Sequence, residues 1–221
     1  MKGLIIINFK NYKEIEGQRV IDLVKIISNI SSRYDINIIV SPPQPSLFHV
    51  AKSTNLQVIC QHIDNNNLGP TTGYFIPELA KSYGAIGSLI NHSEHKIDHR
   101  DIEELILKLR KLEMKSFVCA SNLIEVNKIA KLEPDYIAIE PPELIGSGKA
   151  VSRENPKIIT DTVNEVRKHT QRSKIICGAG IITKEDIVDA LKLNAQGVLI
   201  ASGIIKAKSW EEKLAELAQA F

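Results

Sequence analysis

Four kinds of reactive side chain follow short apolar runs in this sequence. Asn8 and Lys10 come after the run 4–7, His92 and Glu94 after the run 86–91, and Glu140 closes the run 136–140. An amide, an ammonium, an imidazole and carboxylates gathered at one place would form one concave patch with the makings of a catalytic site. Each residue alone has a plainer reading, since a carboxylate at a strand end is more often solvated or bound to a helix end. Three small-residue turns add a second signal: Gly146-Ser147-Gly148, Gly178-Ala179-Gly180 and Ala201-Ser202-Gly203. Such turns expose backbone N–H groups that bind dianions. Any one of them is ordinary turn chemistry; three on one face favour a phosphorylated substrate.

These residues converge only if the intervening elements bring them together. Eight β-branched runs recur, at 4–8, 36–41, 57–61, 86–91, 116–120, 136–140, 174–178 and 197–201. They are apolar on both faces, as buried parallel strands are. Amphipathic stretches lie between them at 19–31, 102–112, 125–132, 158–168, 184–193 and 209–220. Asp98 or Asp101, Ser152, Thr183 and Ser209 stand where helix N-caps belong. Eight units in 221 residues leave about 28 residues each, enough for a strand, a helix and two loops. The pattern predicts an α/β protein, a single (β/α)₈ barrel over residues 1–221, with its site at the carboxyl ends of the strands. A doubly wound open sheet is the alternative. It would normally carry a glycine-rich turn after the first strand, where Asn8-Phe9-Lys10-Asn11 stands instead.

Composition narrows the functions. Twenty-eight basic residues against 26 acidic give a net charge of +2, too balanced to point to nucleic acid or an anionic membrane surface. The three cysteines, Cys60, Cys119 and Cys177, lie far apart and form neither a disulfide framework nor a CxxC zinc ribbon. No apolar run reaches membrane-spanning length, and the one near the N-terminus is too short for a secretory core. The expected location is the cytoplasm.

At these residues the sequence resembles the triosephosphate isomerase family over essentially its whole length. The motifs are NFKNY at 8–12, INHSEHK at 90–96, IEPPELIGSGKAVS at 139–152, CGAGI at 177–181 and GVLIASGIIKA at 197–207. The short chain, QHID at 61–64 and the PPELIG segment are similar to the compact archaeal branch of that family. The resemblance implies interconversion of dihydroxyacetone phosphate and D-glyceraldehyde 3-phosphate through an enediolate, without metal or organic cofactor. It implies that Asn8 and Lys10 contact the substrate, that His92 is the electrophile and that Glu140 is the general base. Glu94 is then the acidic partner that follows the histidine. Residues 141–150 form a mobile lid, with Ile145 and Gly146 closing over the phosphate. Gly180, Ala201 and Ser202 supply backbone donors to it. A helix opening at Ser93-Glu94 would keep His92 neutral.

The sequence also departs from the family pattern. The lid begins Pro141-Pro142-Glu143 rather than Pro-Val-Trp. Cys177-Gly178-Ala179-Gly180 replaces Tyr-Gly-Gly-Ser, so the resemblance does not carry over the hydroxyl contacts that latch a closed lid. His95 stands for the usual arginine and Tyr74 for its glutamate partner, so that ion pair is not expected. The polar segment 65–73 would by itself be a surface loop. By resemblance the loop 65–77 plugs into a neighbouring subunit, with Thr72 approaching the neighbour's lysine. At least a dimer is expected, and a tetramer would use apolar patches on the helices near 98–132. Two other readings remain open on the same barrel. One is a metal-dependent hydrolase using His92, Glu94, His95 and His99, the last two at helical i, i+4 spacing. The other is a non-catalytic phosphosugar-binding protein.

Overall fold

The computed structural model describes residues 3–146 and 148–221. Met1, Lys2 and Ser147, the last at the centre of the first glycine turn, lie outside the described residues. The strands are β1 (Leu4–Asn8), β2 (Asn37–Ser41), β3 (Gln57–Val58), β4 (Gly87–Ile90), β5 (Lys115–Ala120), β6 (Tyr136–Ile139), β7 (Lys174–Cys177) and β8 (Gly197–Ile200). They form one parallel sheet in the order β3-β2-β1-β8-β7-β6-β5-β4. The two ends of that list meet. Cys60 bridges Ser88 in parallel, with Cys60 N–H donating to the Gly87 carbonyl and Leu89 N–H to the Cys60 carbonyl, both at 2.9 Å. The sheet is thus a (β/α)₈ barrel, and the open-sheet alternative falls.

The outer layer holds α1 (Arg19–Tyr34), α2 (Leu47–Ser53), α3 (Pro77–Ser82), α4 (His99–Lys111), α5 (Leu123–Ala130), α6 (Val151–Glu154), α7 (Pro156–His169), α8 (Lys184–Lys192), α9 (Ser202–Ile205) and α10 (Trp210–Ala218). The long amphipathic stretches all appear. Thr183 caps α8 in a reciprocal box with Asp186, and the Ser209 side chain accepts from Glu212 N–H at the start of α10. Asp98 takes the N-cap position of α4, and Asp101 lies inside that helix. Ser152 is not a cap. It lies inside α6, buried, with its hydroxyl donating to the Asp186 carbonyl at 3.0 Å. The following helix instead starts from Asn155 with Pro156 in its first turn. The short helices α2 and α3 have no counterpart in the sequence reading; at seven and six residues they are too short to display a period. Among the described residues, no helix is long and apolar enough to cross a membrane.

The barrel buries two separate apolar sets. Ile5 and Ile7 of β1 face the helices, whereas Leu4 and Ile6 face inward with Ile39, Ile59, Leu89, Phe117, Cys119, Ala138, Ile176 and Leu199. Every strand must therefore be apolar on both faces. Inside, Phe117 and Tyr136 stack face to face at 4.3 Å. This interior set is apolar, and among the described residues Asn8 and Glu140 extend its inward series as polar groups where β1 and β6 end.

Candidate active site

The strand alternation that fills the barrel also positions the first polar groups. On β1 the inward series Leu4, Ile6 continues to Asn8, which is 4 % exposed. The chain then turns. Lys10 adopts φ 49°, a left-handed conformation that costs a residue with a Cβ about 1 kcal/mol. Both of its backbone groups are held by side chains. Its N–H donates to Asn8 Oδ1 at 2.9 Å, and its carbonyl accepts from Gln61 Nε2 at 3.0 Å. Its ammonium donates to Glu94 Oε1 at 2.7 Å.

On β4 the alternation would turn residue 92 away from the interior. Asn91 prevents this with a left-handed φ of 59°, and its side chain fixes the turn. The amide donates to the Cys119 carbonyl at 3.0 Å and accepts from Ile97 N–H at 3.3 Å. His92 thereby points into the mouth of the barrel and is 6 % exposed. The helix expected at Ser93-Glu94 is not there. A turn occupies 92–95, with His95 N–H donating to the His92 carbonyl at 2.8 Å, and α4 begins only at His99. The turn instead sets the orientation of the ring. Glu94 N–H donates to His92 Nδ1 at 3.2 Å, so Nδ1 must carry a lone pair. The proton of the neutral ring then sits on Nε2, which lies 3.7 Å from Glu140 Oε1.

Glu140 continues the inward series of β6, Tyr136 and Ala138, and is 3 % exposed. Its Oε2 is buried and has no hydrogen-bond partner among the described residues. Burial pushes its pKa above the usual carboxylate range. The His92 imidazole, the Cys119 thiol and Lys10 pull it part of the way back. The Cys119 thiol beside it is held well above its own ordinary range, chiefly by burial and next by the Glu140 charge. Gly178 leaves the carboxylate its room, for a Cβ there would lie 2.5 Å from Glu140 Cγ.

One cleft is bordered by Asn8, Lys10, His92, Glu140, Ile145, Gly146, Gly180, Ala201 and Ser202. Glu94 stands off it and borders the adjoining depression with His62 and His95. Gly180 has φ +71°, and a Cβ there would overlap the Lys149 carbonyl. The turn after β7 and the segment 141–150 are therefore packed backbone to backbone. Val151 N–H also donates to the Ala179 carbonyl at 3.1 Å. The segment 141–150 itself has a short 3₁₀ turn at Pro142–Leu144 and left-handed glycines at 146 and 148. The sequence reading missed what Asn91, Gln61 and Cys119 do here, and took Gly178 only for part of an anion-binding turn. Their signal was weak, because each acts by shaping the backbone or the space around a reactive group.

His95 and His99 do not share a helix, since His95 lies in the turn and α4 starts at His99. The His95 ring stacks on His62 at 3.7 Å. Among the described residues no three His, Cys, Asp or Glu side chains gather as metal ligands, which removes the geometry that the hydrolase reading needs.

Fold and cleft together define a (β/α)₈-barrel enzyme. A family model described as Triosephosphate isomerase matches residues 3–220. A protein of Methanocaldococcus jannaschii named Triosephosphate isomerase is 44 % identical over 214 residues, 97 % of this chain and 98 % of its own. One of the same name from Cenarchaeum symbiosum is 43 % identical over 217 residues, 98 % and 97 % of the two chains. Another, from Saccharolobus solfataricus, is 41 % identical over 209 residues, 95 % and 92 %. The chain belongs to the triosephosphate isomerase family.

Proposed function

We propose that this chain, acting as one catalytic domain over residues 1–221, interconverts dihydroxyacetone phosphate and D-glyceraldehyde 3-phosphate in glycolysis and gluconeogenesis. The observation that carries the reading is the buried Glu140 carboxylate facing His92 Nε2 at 3.7 Å across one cleft, with Lys10 on its rim. Glu140 removes the proton from the carbon beside the carbonyl and returns it to the neighbouring carbon. His92 gives the Nε2 proton to the former carbonyl oxygen of the enediolate and takes the proton of the neighbouring hydroxyl at the same nitrogen, so the ring ends as it began. This pairing of a glutamate base with a neutral histidine electrophile is the one already established for the family. Lys10 sets a positive charge beside the developing oxyanion, and Asn8 orients the substrate. Backbone groups at Gly180, Ala201 and Ser202 take the phosphate. Ile145 and Gly146 close over it and exclude water. These residues supply every proton and charge, so neither metal nor cofactor is needed. A coupled assay of triose interconversion tests the reading; turnover that disappears with a chelator and returns with metal would overturn it.

Two variants probe individual roles. Lys10→Ala is expected to weaken inorganic phosphate and substrate binding by about 10–10²-fold, as loss of a charge-assisted contact does. Calorimetry giving wild-type affinity would take Lys10 out of the site. Gly178→Ala puts a methyl group against Glu140 at a backbone conformation that alanine accepts. It is expected to lower kcat by about 10²-fold, the cost of displacing a reacting group by roughly 1 Å, with the barrel still folded by circular dichroism.

We also place the protein in the cytoplasm, without nucleic-acid or membrane partners, as a homo-oligomer. The loop 65–77 supports at least a dimer. It presents Leu68 and Tyr74, 60 % and 52 % exposed, from a base tied by Phe75 N–H donating to Asp64 Oδ2 at 2.7 Å. A tetramer would bury Leu107 on α4 and Ile124 on α5, 47 % and 72 % exposed.

A further inference from the structure

His62 and His95 take no part in the chemistry proposed above, yet their rings lie on each other. The centroids are 3.7 Å apart and the planes 14° from parallel. His62 stands just past the bridge at Cys60 that joins β3 to β4. His95 ends the turn 92–95 that follows β4. The stack is therefore a side-chain contact between two neighbouring strand exits.

Its two sides are held differently. The His62 carbonyl accepts from Gln44 Nε2 at 2.9 Å, and its ring Nε2 lies 3.3 Å from Asp64 Oδ1. Asp64 is tied in turn to Phe75, its N–H donating to the Phe75 carbonyl at 2.8 Å and its Oδ2 accepting from Phe75 N–H at 2.7 Å. His95 is exposed and belongs to the same turn as Glu94, whose N–H donates to His92 Nδ1 at 3.2 Å. That length is the upper end of the normal range for an N–H donor. A small outward shift of the turn breaks the bond that orients the His92 ring.

Charge decides whether the stack holds. Two neutral imidazoles attract as other stacked rings do, whereas two imidazoliums at this separation repel. The charged or titratable groups around the pair are Asp64, Lys10, Tyr12, His92 and Glu94, which border the same depression. Burial and then the His95 charge lower the His62 pKa below the ordinary imidazole range, and Asp64 recovers part of the loss. The stacked ring thus binds a proton less tightly than a separated one, so falling pH favours parting. The stack is whole above the ordinary range near about pH 6.5 and gives way below it.

We propose that the His62–His95 stack positions the turn 92–95 and, through Glu94 N–H, the His92 imidazole, and that protonation of both rings in acid parts them and releases His92. The inference rests on the reading of His92 as the electrophile.

The test uses the full-length protein with His95→Phe and His95→Ala. Phenylalanine keeps a ring on His62 and leaves only one ring to charge. The ratio of kcat at pH 5.5 to kcat at pH 8 is expected to rise at least about threefold over the unaltered protein. Alanine removes the ring. At pH 8 it is expected to lower kcat about tenfold with KM within about twofold, part of the loss that displacing a reacting group by roughly 1 Å brings. The ionisations of Glu140 and His92 are common to all three proteins, so the comparison isolates the pair. Nitrogen NMR of His92 at pH 8 is expected to show a bare Nδ1 and a protonated Nε2 in the unaltered protein and in His95→Phe, and a mixture of tautomers in His95→Ala. That measurement needs no turnover, so it separates a failure of this proposal from a failure of the reaction assigned to the site. Equal pH ratios in the unaltered protein and His95→Phe would overturn the proposal. So would a loss of kcat in His95→Ala with the His92 nitrogen signals unchanged, or wild-type kcat in that variant.

Discussion

Glu140→Gln is expected to lower kcat by about 10³–10⁴-fold, the range that a positioned general base contributes, while leaving inorganic phosphate affinity within about threefold. The amide keeps the shape of the side chain but removes its charge and its capacity to take a proton. A variant that turned over at the wild-type rate would end the assignment of Glu140 as base. The same substitution is expected to stabilise the fold, and its sign follows from burial. Glu140 has a higher pKa folded than unfolded, so the folded state binds the proton more tightly. The penalty for a buried carboxylate is absent below the unfolded pKa and grows as pH rises through the folded one. Glutamine removes that penalty at pH 8 and has nothing to remove at pH 4. The gain shows as a higher Tm for Glu140→Gln than for the unaltered protein at pH 8, and no difference at pH 4. Thermal unfolding of both proteins at the two pH values measures it. A gain at pH 4 equal to that at pH 8 would show that the carboxyl is not destabilised by ionisation.

His92→Gln is expected to lower kcat by about 10²–10³-fold, the usual cost of removing one donor aimed at a developing oxyanion. The imidazole is rigid, and its orientation is set by Glu94 N–H donating to Nδ1. Glutamine has donors but no ring to be held by that bond, so its amide does not keep a fixed position between the two oxygens of the enediolate. KM should move by less than about threefold, because the interaction strengthens mainly in the transition state. Steady-state kinetics separates the two parameters. A rise in KM with kcat unchanged would make His92 a plain binding residue.

Much of this arrangement could be read from residue order, for a physical reason. Parallel strands buried on both faces write themselves as continuous apolar runs, and a polar residue ending such a run has few places to go but the barrel mouth. Asn8, Lys10, His92 and Glu140 were legible on that account. The face to which each residue points was not, because runs such as 4–7 are apolar at every position and carry no alternation. Asn91 is the sharpest case. A two-residue period would aim residue 92 outward, and only the left-handed backbone at Asn91 brings the imidazole in. The absent helix at Ser93-Glu94 has a similar cause. Serine and glutamate suit a first helical turn, but the chain at 92–95 is already committed to a turn that delivers Glu94 N–H to the histidine. The helices α2 and α3 went unread because two turns or fewer give no stripe to recognise. The contacts of Gln61 and Gly178 with the Lys10 carbonyl and Glu140 Cγ went unread because those partners are far away in sequence.

The apolar plug of Leu4, Ile6, Phe117, Ile176 and Leu199 inside the staves has a consequence for traffic. A barrel interior filled in this way is a core and not a pore, so among the described residues the cleft is a cul-de-sac. Entry and exit share one door, so product must depart before the next substrate arrives. The tempo of that door bears on influx and efflux alike.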